Sequence, residues 1–200
     1  MKRRLLALRR GLCHLCRVIG RILPSADPCT FCQPFEHLSV GVATIAGIQA
    51  DAGKLYLCAI KDVYSNRIVG YSIDSRMKAS LAVNALTNAL ALRGAAGTIV
   101  HSDRGSRFRS RKFVHTLSNN GLQGSMGRIG AFGDNAAMES FFSLLQKNVL
   151  DRQRWSTQEQ LRLAIVTWIE KTYHRKRRQR HLGKLTPIEF ETINQTVYTA

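Results

Sequence analysis

The stretch that decides the fold is Lys54–Ile73, KLYLCAIKDVYSNRIVGYSI. Two apolar and aromatic runs, KLYLCAIK (Lys54–Lys61) and RIVGYSI (Arg67–Ile73), flank Asp62-Val63-Tyr64-Ser65-Asn66, which ends in good turn formers. That pattern reads as an antiparallel hairpin. Outward from it, Lys78–Arg93 places Leu81, Ala85, Leu86, Ala89 and Leu90 at helical spacing, with Gly94 as the stop. Thr98–Ser102 is too short for a helix and suits a buried parallel strand. Arg111–Asn119 carries Phe113, Val114 and Leu117 on one helical face and stops near Gly121, and Leu122–Met126 reads as a last short strand. After Gly127, Gly130 and Gly133, Asp134 can cap a helix that runs to about Val149, with Met138, Phe141, Phe142 and Leu145 as its buried side.

Strands alternating with helices imply a mostly parallel sheet covered on both faces, and the opening hairpin makes that sheet mixed. In open sheets of this kind, ligands sit beyond the carboxyl ends of the central strands. Asp103 ends the Thr98–Ser102 strand in such a place.

The flanks differ in character. Residues 1–50 begin basic, turn poor in charge and lack clear periodicity, so they read as a divergent or poorly ordered segment. Residues 51–150 form the core, and residues 151–200 a basic helical tail. In that tail Ser156 and Glu159 have capping-box spacing. Leu161, Ala164, Ile165, Trp168 and Ile169 follow as an apolar face, and Thr186-Pro187-Ile188-Glu189 opens a last helix with Pro at its first position.

Charge narrows the partners. The 30 Lys and Arg against 13 Asp and Glu leave a formal charge of +17. A domain this basic repels itself unless it meets a polyanion, and nucleic acid is the usual one. The cationic run His174–His181 fits phosphate contact without base specificity. No apolar stretch approaches the roughly 20 residues of a membrane span. The run Leu5–Leu8 after the basic start is broken by Arg9 and Arg10, too short for a signal peptide, so a cytoplasmic protein is expected. The five cysteines, an odd number, argue against a disulfide framework. Cys13, Cys16, Cys29 and Cys32 form two C-x2-C pairs twelve residues apart, a spacing that could hold zinc. Neither pair has the Gly or Pro turn residues typical of zinc knuckles, and zinc is disfavoured.

Acidic residues are scarce, so two in special positions stand out. Asp103 sits in HSDRGS (His101–Ser106) at a strand end, and Glu139 sits in DNAAMES (Asp134–Ser140), one turn inside a helix, with 35 residues between them. Metal-dependent phosphodiester cleavage uses divalent ions that prefer carboxylate oxygens from separate elements. A capping or ion-paired Asp and a solvated helix Glu would fit the same spacing.

The segments GKLYL (Gly53–Leu57), DVYSNRIVG (Asp62–Gly70), HSDRGS, SMGR (Ser125–Arg128) and DNAAMESFF (Asp134–Phe142) resemble the integrase core of insertion-sequence transposases, specifically the second-frame product of the insertion-sequence three family. In the tail, YHRKRR (Tyr173–Arg178) and LTPIEF (Leu185–Phe190) resemble it as well. This likeness to a family related to retroviral integrases implies an RNase H-like α/β fold and a triad of two Asp and one Glu. It also implies Mg²⁺ or Mn²⁺, and strand cleavage followed by strand transfer at element ends. Asp103 and Glu139 match the last two members, with the family's spacing. The first Asp is not matched, because counting back from Gly53 puts Thr44 at its position and Gly41 where the family has a Trp. Asp51 and Asp62 lie nearby but are not the expected ligand. Arg104, Arg107 and Arg109 after Asp103, Ser143, Gln146 and Lys147 on the Glu139 helix, and Arg175, Lys176, Arg177 and Arg178 in the tail are the candidate DNA contacts. His101 would orient a phosphate or fill the strand end. The family's upstream helix-turn-helix region is not read in this chain, so recognition of element ends is not expected of it alone.

The expectation is therefore a DNA transposase core, impaired by Thr44, acting on element ends and target DNA in the nucleoid. It would assemble with itself or with intact transposase. The alternatives are an inactive DNA-binding remnant and a zinc-containing nucleic-acid-binding protein.

Overall fold

The computed structural model describes residues 40–94, 98–126 and 136–198. Five strands form one mixed sheet: β1 Val40–Ala50, β2 Gly53–Asp62, β3 Ile68–Asp74, β4 Ile99–Ser102 and β5 Gln123–Met126. Their order is β3-β2-β1-β4-β5. The hairpin read from Lys54–Ile73 is β2 and β3, paired antiparallel, with one extra residue, Val69, where the register shifts at Ile60 and Lys61. β1 pairs antiparallel with β2 and parallel with β4, and β4 pairs parallel with β5.

The central strand was not legible as a strand. Residues 40–50 lie inside the segment read as lacking periodicity, yet they form β1. The reason is two-sided burial. Val42 and Ala43 are both buried, on opposite faces, so no polar–apolar alternation marks the first half of the strand, and of the exposed alternate residues in the second half, Gly47 and Gln49, only Gln49 is polar. The two cysteine pairs and the rest of residues 1–39 lie outside the described residues, as do Gly127, Gly130, Gly133 and Asp134.

Among the described residues five α-helices accompany the strands: α1 Ala79–Arg93, α2 Arg111–Asn119, α3 Ala136–Asn148, α4 Gln158–Thr167 and α5 Pro187–Tyr198. Helix α1 stops at Gly94, whose φ of 71° lies in the left-handed region that glycine tolerates. On one face of the sheet, Ala43, Cys58, Ile60 and Val100 pack with Leu81, Ala85 and Leu86 of α1 and Phe113 and Leu117 of α2. On the other, Val42, Leu55, Leu57, Ala59 and Ile99 pack with Met138, Phe141 and Leu145 of α3 and Leu161 and Ile165 of α4. Val114 is a correction to the α2 face, because it is 49% exposed and turned away from the core.

The C-terminal helices join the second core rather than standing off it. Trp168, Ile169 and Tyr173 belong to the same cluster as α3 and the sheet. They lie on a π-helical turn, Trp168–Tyr173, that continues α4. The capping of α4 differs from the Ser156–Glu159 reading: Thr157 is the cap, and its hydroxyl accepts from the Gln160 N–H at 3.2 Å. A reciprocal capping box stands instead at α5, where the Glu189 carboxylate accepts from the Thr186 N–H at 2.9 Å and the Thr186 hydroxyl accepts from the Glu189 N–H at 3.2 Å.

Candidate active site

Parallel pairing of β1 with β4 builds the site. The last register pair is Ala43 with Ser102, so the next residue of each chain segment, Thr44 and Asp103, stands beside the other. The Thr44 hydroxyl donates to Asp103 Oδ2 at 3.3 Å. The Gly105 N–H donates to Asp103 Oδ1 at 2.7 Å, which folds the loop back under its own carboxylate. The exposed Asp103 carboxylate thus stands at the carboxyl end of β4 with both oxygens held. Alternation along β1 puts Thr44 on the same face as Val42, the face covered by α3.

Glu139 lies in the first turn of α3 and is exposed. Its neighbours Met138 and Phe141 are fully buried against the sheet. These anchors seat α3 on β1, the strand that carries Thr44.

Lys61 was missed from sequence. Leu55, Leu57 and Ala59 of β2 face the α3 side, and Lys61 continues that phase. It is 5% exposed, and its Nζ donates to the Ala137 carbonyl in the first turn of α3 at 3.1 Å. Burial pulls its pKa down to about 8. The signal was available: a lysine in the inward phase of a strand needs a polar partner inside.

The other candidates divide. Asp51 sits exposed in the β1–β2 turn. Asp62 is buried and committed to structure: its oxygens accept from the Tyr64 N–H and the Ser65 hydroxyl, and Arg93 stands 3.6 Å away. Arg93 and Arg67 both reach Glu191 of α5, which ties the helix to the hairpin. Arg104 and Arg109 are exposed near Asp103, whereas Arg107 is half-buried, with Nε donating to the Met77 carbonyl at 2.8 Å. On α3, Ser143 and Lys147 are exposed, and Gln146 donates to Asp151 at 2.6 Å. His101 is buried beside Ser125, with its Nδ1 3.2 Å from the hydroxyl. In the cationic run, Arg175, Lys176, Arg177 and Arg178 are exposed, but His174 is buried. The His174 Nε2 accepts from the Ile68 N–H at 3.2 Å, so its Nδ1 carries the proton and donates to Glu170. That takes His174 out of the phosphate-facing set.

The sequence matches two family models described as integrase core domain, one over residues 33–131 and one over residues 120–187. The chain belongs to the integrase core domain family. Its curated relatives include the transposase InsF for insertion sequence IS3A of Escherichia coli (strain K12), 36% identical over 151 residues, which cover 75% of this chain and 52% of that protein. The insertion element IS600 31 kDa protein of Shigella sonnei is 39% identical over 158 residues, covering 78% of this chain and 58% of its own. The likeness to insertion-sequence three transposases is therefore borne out, and the chain spans about half the length of these curated relatives. Among solved structures, the HTLV-2 integrase catalytic core domain in complex with magnesium matches with a TM-score of 0.56 at 17% identity, over 76% of this chain and 94% of that one. A chain of the simian T-cell lymphotropic virus intasome in complex with PP2A regulatory subunit B56 gamma gives a TM-score of 0.58 at 17% identity, over 76% of this chain and 53% of that one. These neighbours bear out the RNase H-like mixed α/β fold.

The donor chemistry can be tested against a divalent ion. Asp103 and Glu139 offer two carboxylates, and one Mg²⁺ or Mn²⁺ commonly takes one or two, with water and phosphate oxygens in the remaining places. Thr44 brings a neutral hydroxyl to the third position. Among the described residues no three His, Cys, Asp or Glu side chains gather as a metal set. At the end of β4 the donors that stand together are one carboxylate and one neutral hydroxyl, a carboxylate short of a paired-ion set there.

Proposed function

We propose that the chain is the catalytic core of an insertion-sequence transposase, built for metal-dependent DNA strand cleavage and transfer and impaired by Thr44. The observation that carries this reading is the Asp103 carboxylate at the end of β4, next to the central strand and on the face that α3 covers. Family membership supports the same reaction class.

When bound, a divalent ion would supply Lewis-acid charge at a DNA phosphate and lower the pKa of the attacking oxygen. Asp103 and Glu139 would hold it. Gly105 and Thr44 orient Asp103 by donating to its two oxygens. Thr44 adds no negative charge, so the second half of a paired-ion site is unsupported and both ion affinity and rate fall. Arg104, Arg107 and Lys147 would meet DNA close to the carboxylates, and Arg175, Lys176, Arg177 and Arg178 would meet backbone phosphate farther off. Element ends and target DNA are the substrates, in the cytoplasm on nucleoid DNA. Among the described residues no helix is long and apolar enough to cross a membrane. The HTLV-2 core domain is described in trimeric and dimeric forms, and self-assembly, or assembly with intact transposase, belongs to the proposal.

A strand-transfer assay on end-labelled duplex DNA with Mn²⁺ tests the reading. Weak turnover that vanishes in Asp103→Asn and in Glu139→Gln, and rises in Thr44→Asp, is the expected result. Turnover untouched by Asp103→Asn would overturn it.

The second reading, a DNA-binding remnant without turnover, is favoured by the same Thr44–Asp103 contact. Salt-sensitive DNA binding with no strand transfer in the wild type or in Thr44→Asp would select it.

A further inference from the structure

We propose that Lys61 is a positioning residue for the site: anchored on the Ala137 carbonyl, its ammonium holds the first turn of α3, and with it Glu139, to β2, the strand beside the one that carries Thr44. The role of Glu139 rests on the transposase reading above. The positioning itself rests on geometry alone.

Three observations converge. First, β2 presents Lys61 to the α3 side of the sheet. Register pairs Lys61 with Val42 and Ala59 with Thr44, so Lys61 is the diagonal neighbour of Thr44 on one sheet face, a separation of about 7–8 Å between backbones. Second, Lys61 is almost fully buried, and its Nζ reaches Ala137 O at 3.1 Å. A helix carbonyl has two lone pairs, one for the N–H four residues on and one for this ammonium. Third, Ala137 is the second residue of α3 and lies two positions before Glu139. A single helical turn moves as one unit, so holding the carbonyl of Ala137 fixes the backbone that aims Glu139.

The cost of the arrangement argues that it does something. A lysine in the interior gives up hydration that one neutral carbonyl offsets only in part. Met138 and Phe141 supply the packing of α3, and an apolar residue at position 61 would pack there without that cost. Met138 packs the inner side of the first turn, but apolar packing alone does not fix the direction of its backbone. Lys61 acts on that turn.

The test uses the full chain carrying Lys61→Met, which keeps the stem and removes the charge and the donor, beside Lys61→Arg, which keeps both. Amide hydrogen exchange is read for residues 138–142, with α1 and α4 as internal controls. Mn²⁺ affinity is read in parallel by electron paramagnetic resonance. The expected result is exchange at least about tenfold faster at residues 140–142, whose N–H groups bond the first-turn carbonyls, in Lys61→Met, with α1 and α4 unchanged, and recovery in Lys61→Arg. Mn²⁺ should bind about tenfold more weakly to Lys61→Met. Unchanged exchange at those residues would overturn the proposal. So would faster exchange spread equally through α1 and α4, because that is general loosening. If wild-type protein holds no Mn²⁺, the metal reading of Glu139 fails, while the exchange pattern still decides the role of Lys61.

Discussion

Thr44 donates its hydroxyl hydrogen to Asp103 Oδ2 across the boundary between β1 and β4, at 3.3 Å. A side chain at that position therefore meets the Asp103 carboxylate directly. Replacing Thr44 by Asp would put two negative groups in contact. Without a cation they repel, and at an exposed site near 4 Å the cost is about 1 kcal/mol. With a divalent cation between them the same pair becomes a ligand set. Thr44→Asp should melt lower than wild type in chelator and gain more in Tm on adding Mn²⁺. Thermal melts with and without Mn²⁺ read this directly, and an identical Mn²⁺ response in the two proteins would remove Thr44 from the site.

Cys58 gives the alkaline behaviour. It is fully buried in the core beneath α1. Burial, and next the charge of Asp103, push its thiol up to about 12 from 9.0. The folded state thus keeps a proton that the unfolded chain releases above pH 9. Stability is fully present below pH 9 and falls as pH rises toward 12, by about 1.4 kcal/mol at pH 10. Cys58→Ala should lose core packing at neutral pH yet show a shallower decline between pH 9 and 11. Urea unfolding of both proteins across that range measures the difference, which should shrink as pH rises. A constant difference would mean that the thiol does not titrate in the unfolded chain as assumed.

Gly70 fixes how close α1 lies to the hairpin. A Cβ there would stand 2.6 Å from the Ala89 backbone nitrogen and would also press on the Ala85 carbonyl. These are backbone atoms of a packed helix and cannot swing aside. Gly70→Ala should cost about 3 kcal/mol or more. Gly47→Ala is the control, because its nearest neighbour is the ring of Tyr56 at 3.4 Å, an ordinary contact. Chemical denaturation of the two variants should separate them clearly, and equal stabilities would mean that α1 can shift.

The hairpin, α1 and the short parallel strands were legible because each shows a period or a stop in the chain: Leu81, Ala85 and Ala89 on one helix face, and Gly94 at its end. Asp103 and Glu139 stand out as candidates because acids are rare here and their spacing matches a family. β1 was not legible as a strand, since its first half is buried on both sides and carries no alternation, and only the family spacing singled out Thr44 within it. Lys61 and His174 were misjudged or missed for a shared reason. A charged or titratable residue reads as surface when its buried partner is far along the chain, such as Ala137 for Lys61 and Ile68 for His174. Val114 failed in the opposite way: it is apolar and near the α2 stripe, but it faces solvent.

The exposed run Arg175, Lys176, Arg177 and Arg178 is the last point to test. It follows directly on the buried Tyr173 and His174, so its base is fixed while its side chains face outward. Arg178 also stands 3.8 Å from Glu189, an exposed pair that contributes little and screens easily. Phosphate contact by such a run is non-specific and works by counterion release, with each contact adding about 0.9 to the slope of log affinity against log salt. Changing all four to Gln should weaken binding to unrelated duplexes alike and lower that slope by roughly 2–4. Fluorescence anisotropy on two duplexes of different sequence, from low to moderate salt, measures both quantities. An unchanged slope would move the DNA path away from the tail and toward Arg104 and Lys147, beside the carboxylates, where the same titration on Arg104→Gln and Lys147→Gln should then show the missing contacts.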